Sequence, residues 1–124
     1  VPMEDIVTFY QGAELFAYPS LYEGFGLPPL EAMASGIPVI TSPVPSVTEL
    51  AVEAALVFNP EDTTSLVHQL DCGLRDTKLR QMMSRRGQLA VTPLSWENTA
   101  RQTLAVYHEI LGGSNKKQTV GELF

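Results

Sequence analysis

The first 74 residues contain no lysine and no arginine. The first basic side chain is Arg75, and all eight Lys and Arg lie from there onward, whereas ten of the fourteen acidic residues precede it. The formal net charge is −6. That balance disfavours nucleic acid as a partner, because a phosphate backbone needs a basic face. The single cysteine, Cys72, excludes an intramolecular disulfide framework and fits a reducing compartment. The only two histidines, His68 and His108, lie far apart in the chain, so no metal site is expected. No apolar run approaches membrane-spanning length, and no secretory n-region or h-region is present. A transmembrane segment is therefore not expected. What the chain does have is 44% hydrophobic residues, enough for a packed core.

The most informative stretch runs from Tyr18 to Met33. Leu15 to Tyr18 reads as a buried strand. Gly24 and Gly26 bracket a turn in which the backbone can take unusual torsions and let a ligand approach. Pro28 and Pro29 suit a helix start, where amide hydrogens have no helical partner. Gly36 suits the helix stop. Strand, glycine turn and helix N-terminus in this order make an anion site. The prolines have no amide to give, so a phosphate would rest on Gly24, Phe25, Gly26 and Leu27. Glu31 is expected in the first helical turn. A carboxylate beside a diphosphate repels it, so Glu31 suits neutral hydroxyls, such as a vicinal diol. Glu23, just before the turn, can serve a second set of hydroxyls. On residue chemistry alone blander readings stay open: Phe25 as a core anchor, Glu23 as a cap, Glu31 as an ordinary helical acid.

Strands and helices alternate along the rest of the chain. Strands are expected at Leu15 to Tyr18, Pro38 to Thr41 and Ala55 to Phe58. Helices are expected over Pro2 to Tyr10, Pro29 to Ser35, around Val47 to Ala51, after Asp62, over Lys78 to Ala90, and from the Ser95 cap to Leu111. Strands joined by helices argue for a parallel sheet. The glycine turn then falls at the carboxyl end of a strand, where open α/β sheets bind ligands. Residues 112–124 read as a flexible polar tail.

Residues 19 to 39 resemble the donor-site motif of retaining glycosyltransferases of the GT-B fold, family 4 type. The motif has two glutamates separated by seven residues, and here reads Pro19-Ser20-Leu21-Tyr22-Glu23-Gly24-Phe25-Gly26-Leu27-Pro28-Pro29-Leu30-Glu31-Ala32-Met33. Ser42 to Leu50, Ala54 to Pro60 and Leu94 to Tyr107 are also similar, so the resemblance spans roughly residues 1 to 111. It implies the C-terminal portion of a Rossmann-like donor-binding domain. It also implies hexosyl transfer from a nucleoside-diphosphate sugar with retention of configuration, without a metal or other cofactor. By the same resemblance Glu31 contacts the ribose, Glu23 contacts the donor sugar, and Gly24, Phe25, Gly26 and Leu27 hold the diphosphate and sugar. Glu49 stands in a loop that approaches the nucleotide in such enzymes. Val52-Glu53, Asn59 and Leu94 depart from the usual pattern outside the central motif.

At 124 residues the chain is expected to be one domain at most. An acceptor-binding N-terminal domain, the opening strands of the donor domain and its Arg/Lys phosphate clamp would lie upstream. A diphosphate is normally held by such cations, and their absence from the first 74 residues agrees with that expectation. The expected partners are a nucleoside-diphosphate sugar, a sugar or glycan acceptor, and a second copy of the chain through an exposed strand edge. The expected location is the cytoplasm, peripheral to a membrane for the full-length protein. Two other readings stay open: a non-catalytic remnant or interaction module, and a glycoside hydrolase using Glu23 and Glu31 as carboxyls about 5 to 10 Å apart.

Overall fold

A computed structural model describes residues 1–111; the expected polar tail, residues 112–124, lies outside the described residues. The chain divides into two compact units, Val1–Thr92 and a second that begins at Pro93. The first holds a three-stranded parallel sheet in the order β1-β2-β3. Its strands are β1 (Phe16–Tyr18), β2 (Val39–Thr41) and β3 (Ala55–Val57). Phe16 registers with Val39 and Val39 with Ala55. This is the expected Rossmann-like α/β arrangement.

The burial pattern follows from that order. All three residues of central β2 are buried, whereas Phe16 and Tyr18 of β1 are half-buried and Ala17 is exposed. Among the described residues the outer edge of β1 has no strand beside it. The core gathers Met33, Val39, Val44, Val47 and Ala54 with Tyr10 and Leu30.

The helices of this unit are α1 (Ile6–Gly12), α2 (Leu27–Ala34), α3 (Pro45–Leu50), α4 (Thr63–Arg75) and α5 (Thr77–Val91). The expected first helix is split. A 3-10 turn over Met3–Asp5 precedes α1, which continues to Gly12. The helix after the glycine turn starts at Leu27, two residues earlier than the sequence suggested. The first helical amides need no partner, so Pro28 and Pro29 sit inside the first turn without loss. Glu31 is consequently the fifth helical residue, and the first turn holds no acid. The expected first-turn dipole benefit therefore does not apply to it.

Several boundaries have plain chemical causes. Gly36, with φ of 81°, closes α2 in a Schellman arrangement: its amide donates to Met33 O at 2.9 Å and the Ile37 amide to Ala32 O at 3.0 Å. Asp62 caps α4 by accepting from the Thr64 amide, and Asp76 caps α5 by accepting from the Leu79 amide, each at 2.9 Å. Gly87 lets α5 approach α2 closely, since a Cβ there would lie 3.0 Å from Met33 Cγ.

In the second unit α6 runs from Trp96 to Leu111. Ser95 caps it through the Asn98 amide at 3.0 Å. No helix of the described residues is long and apolar enough to cross a membrane.

Candidate donor site

The glycine turn is anchored from below. The Ser46 amide donates to Phe25 O at 3.0 Å, and the Ser46 hydroxyl donates to Gly26 O at 2.6 Å. Ser46 is fully buried at the start of α3. These bonds turn the carbonyls of Phe25 and Gly26 toward the protein. The amides of Gly24, Phe25, Gly26 and Leu27 donate to no other group among the described residues. A turn with its carbonyls engaged and its amides open is a preorganised acceptor of negative charge.

The two glycines differ. Gly26 is the N-cap of α2, at φ 89°, in the left-handed region that other residues avoid. A Cβ there would also stand 3.2 Å from Ser46 Oγ and 3.3 Å from Val44 Cβ. Gly24 does not have a positive φ, and a Cβ there would meet nothing within 4 Å. The unusual torsion expected at both therefore occurs at Gly26 alone. Gly26→Ala should destabilise the chain by about 1–3 kcal/mol, the range for a residue forced into a sparse backbone region. Gly24→Ala should leave stability within about 0.5 kcal/mol, as for a surface change, and affect only a ligand resting on the turn. Urea denaturation of both variants checks the contrast.

Each glutamate of the motif is held by a tyrosine. Glu23 accepts the Tyr18 hydroxyl on Oε1 at 2.5 Å, and the Ser20 hydroxyl lies 3.1 Å from both that oxygen and Tyr22 O. Glu31 accepts the Tyr10 hydroxyl on Oε2 at 3.3 Å. Ser20 is fixed in turn, since its amide donates to Ser42 Oγ at 3.2 Å. Buried Ser42 sits just past β2, and its amide donates to Tyr18 O at 3.1 Å. The ends of β1 and β2 thus carry Glu23, while α1 and α2 carry Glu31.

The hydrogen bond to Glu23 pushes the Tyr18 phenol up to about 12, with burial and the charges of Glu23 and Tyr10 adding to it. Burial, then the charge and hydrogen bond of Glu31, raise the Tyr10 phenol as well. A phenolate beside either carboxylate would be a second negative charge at the same point. A folded-state value above the unfolded 10.0 means that the native chain binds more protons between about pH 10 and 12. The stability tied to Tyr18 is then fully present below pH 10 and lost as pH rises toward 12. Glu23→Gln should bring the Tyr18 ionisation back toward its ordinary value. Ultraviolet titration of phenolate absorbance reads this directly.

The fold fixes the surroundings of the other candidate residues. Glu49 is exposed at the end of α3. It lines an open hollow of about 390 Å³ with Glu53, Arg86 and Leu89. No hydrogen bond among the described residues joins it to the turn or to either motif glutamate. A second hollow, about 330 Å³, is lined by Glu14, Gly36, Arg80, Arg85 and Gln88. Neither includes a residue of the glycine turn. Phe25 is 41% exposed, so it is not a core anchor. The ion pairs Arg75–Asp71, Arg86–Glu53 and Arg101–Glu97 all leave Glu23 and Glu31 aside. His68 Nε2 approaches Cys72 Sγ at 3.7 Å on α4. No group of three or more His, Cys, Asp or Glu that could hold a metal occurs among the described residues.

Reasoning from sequence missed Tyr10, Tyr18 and Ser46. A hydroxyl-bearing residue just inside the strand before the motif was a usable signal for Tyr18. Nothing local marked Ser46, which acts 20 residues away from Gly26.

Comparison with known proteins gives the geometry a family. Residues 1–90 match the family described as glycosyl transferases group 1. O-antigen chain mannosyltransferase B of Escherichia coli is 42% identical over 107 residues, 86% of this chain and 28% of the relative. The chain thus spans less than a third of the length of that relative. Sucrose-phosphate synthase from Thermosynechococcus elongatus superposes with a TM-score of 0.82 at 31% identity, over 92% of this chain and 29% of that one. The C-terminal domain of a glycosyl transferase group 1 family protein from Francisella tularensis gives a TM-score of 0.68 at 30% identity, over 76% of this chain and 49% of that one. The fold is that of the C-terminal part of GT-B glycosyltransferases. On sequence and on structure, the chain belongs to the group 1 glycosyltransferases.

Proposed function

We propose that this chain supplies the donor side of a hexosyl transfer from a nucleoside-diphosphate sugar, with the anomeric configuration retained. One observation carries the reading: four amides, Gly24 to Leu27, without an acceptor among the described residues, lie in a turn anchored by Ser46 and flanked by two tethered glutamates. In the reaction the bond between the anomeric carbon and the diphosphate oxygen breaks, with its electrons going to the diphosphate. The acceptor oxygen forms the new bond, and its proton passes to the leaving diphosphate oxygen. The open amides stabilise the charge growing on the leaving group, as fixed dipoles do in a preorganised site. Glu23 orients the sugar and Glu31 holds the ribose diol.

The mannosyltransferase named above supports a mannosyl or similar hexosyl group, and an acceptor of the glycan class. The acceptor would be held by a second domain, and the cationic clamp by residues outside this chain. In the complete enzyme, activity at a membrane surface on a lipid-borne glycan fits the O-antigen role named for that relative. A second reading, a binding module without turnover, is favoured by the lack of any Lys or Arg before Arg75.

The test is a transfer assay with nucleoside-diphosphate hexoses, on the chain alone and with an acceptor-side domain supplied. Transfer that appears only with the second domain, and disappears with Glu23→Ala, supports the donor-site reading. Donor binding without transfer in either format supports the binding module.

A further inference from the structure

We propose that Tyr10 and Tyr18 are positioning residues that decide which carboxylate oxygen each motif glutamate presents to the donor. This inference rests on the donor-site reading and deepens it.

The bonding pattern is asymmetric within each carboxylate. Glu23 Oε1 takes the Tyr18 hydroxyl at 2.5 Å, and the Ser20 hydroxyl divides its one proton between that oxygen and Tyr22 O, each at 3.1 Å. Oε2 of Glu23 accepts no hydrogen bond among the described residues, so it is the oxygen presented to a ligand. Glu31 spends a single site, on Oε2, for Tyr10. Its Oε1 is unused, and so is one site of Oε2. Glu31 can therefore accept the two hydroxyls of a vicinal diol on separate oxygens, whereas the unused acceptor sites of Glu23 lie on one oxygen. The difference suits a bidentate diol at Glu31 and contacts converging on one oxygen at Glu23.

The tyrosines are fixed well enough to impose this. Tyr10 is 8% exposed. Its ring meets Phe16 edge-on, with centroids 5.4 Å apart, and Phe16 stacks on Tyr18 at 6.0 Å. The three rings form one continuous wall, so the two hydroxyls stand at a set separation. A carboxylate otherwise rotates freely about its last bond. A hydrogen bond from a packed ring, short at Glu23 (2.5 Å) and longer at Glu31 (3.3 Å), restricts that freedom before the ligand arrives, which is where preorganisation raises affinity. Replacing Tyr by Phe keeps the wall and deletes only the hydroxyl.

The experiment uses a ladder of probes on the 124-residue chain: inorganic pyrophosphate, then GDP and UDP, then GDP-mannose and UDP-glucose. Affinities are read by NMR titration in wild type, Tyr10→Phe, Tyr18→Phe and Ser20→Ala. Tyr10→Phe should weaken the nucleoside diphosphates about three- to tenfold, the scale of one modest hydrogen bond. Tyr18→Phe should weaken only the sugar nucleotides, by a similar factor, and leave the nucleoside diphosphates within about twofold, roughly the scatter of distant additivity. Ser20→Ala should act in the same direction as Tyr18→Phe. Pyrophosphate affinity should be equal in all four, because a merely structural disturbance of the turn would change it. Tyr18→Phe added to Glu23→Gln should have no further effect.

If wild type gains affinity along the ladder and the Phe variants gain it equally, the positioning role is wrong while the donor site stands. If pyrophosphate affinity falls with the others, the tyrosines support the turn itself and the proposal is overturned. If no probe binds the wild type, the proposal fails, and the transfer assay with an acceptor-side domain decides the donor-site reading separately.

Discussion

Glu31→Ala is expected to weaken nucleoside-diphosphate binding by about 1–3 kcal/mol, the range for losing a charged hydrogen-bond partner. The loss should fall on the nucleoside diphosphate and not on pyrophosphate, since the role proposed for Glu31 is to hold hydroxyls. It should also free the Tyr10 hydroxyl, whose other contacts are ring packing. Tyr10 then loses the carboxylate that helps raise its phenol, so its ionisation should move back down. Glu23→Ala should act differently. Nucleotide affinity should change little, and the transfer rate in the assay with both domains should fall more, because the contact proposed for Glu23 is with the sugar. Calorimetry with the nucleoside diphosphate and steady-state rates separate the two. Equal nucleotide affinity in wild type and Glu31→Ala would remove the ribose role.

The second large effect is expected in assembly. The outer edge of β1 has no strand beside it among the described residues. The strand is Phe-Ala-Tyr, with none of the charges that protect natural edges. Near it in sequence, Val7 and Phe9 of the first helix are 52% and 62% exposed. An open edge with exposed apolar side chains favours pairing of copies. The 124-residue chain should therefore be a dimer or larger species that dissociates on dilution. Sedimentation equilibrium at several concentrations checks it. A charged residue at Ala17, the exposed position of β1, should shift the equilibrium toward monomer. A monodisperse wild-type monomer that melts cooperatively would mean that the edge is closed by the chain's own residues.

Local signals carried the fold. Apolar β-rich runs marked each strand to within a residue, because a buried parallel strand needs an unbroken apolar run. Gly36 marked the end of α2, and Asp62 and Ser95 marked helix starts, because each bond they make reaches only a few residues. The start of α2 was misjudged, since prolines were read as the boundary when they occupy the first turn.

Less of the site was legible. The turn and both glutamates stood out as a contiguous motif. What holds them did not, because those partners are distant in sequence: Tyr10 reaches Glu31 across 21 positions, and Ser46 reaches Gly26 across 20. Only the parallel sheet brings β1 and β2 side by side, so that Ser42 can hold Ser20 and α3 can lie under the turn. Glu49 was a candidate only through the family resemblance; the fold places it at the exposed end of α3, on a hollow shared with Arg86.

The central claim is that the open amides of Gly24, Phe25, Gly26 and Leu27 form the diphosphate seat. Backbone amide NMR during titration of the chain with GDP and UDP tests it most directly. The account predicts weak, millimolar binding, since residues 1–74 bear no cation and the surrounding field is negative. It predicts the largest amide shifts at those four residues. The largest shifts around Arg80 and Arg85 instead, or micromolar binding that vanishes when those arginines are replaced, would contradict it.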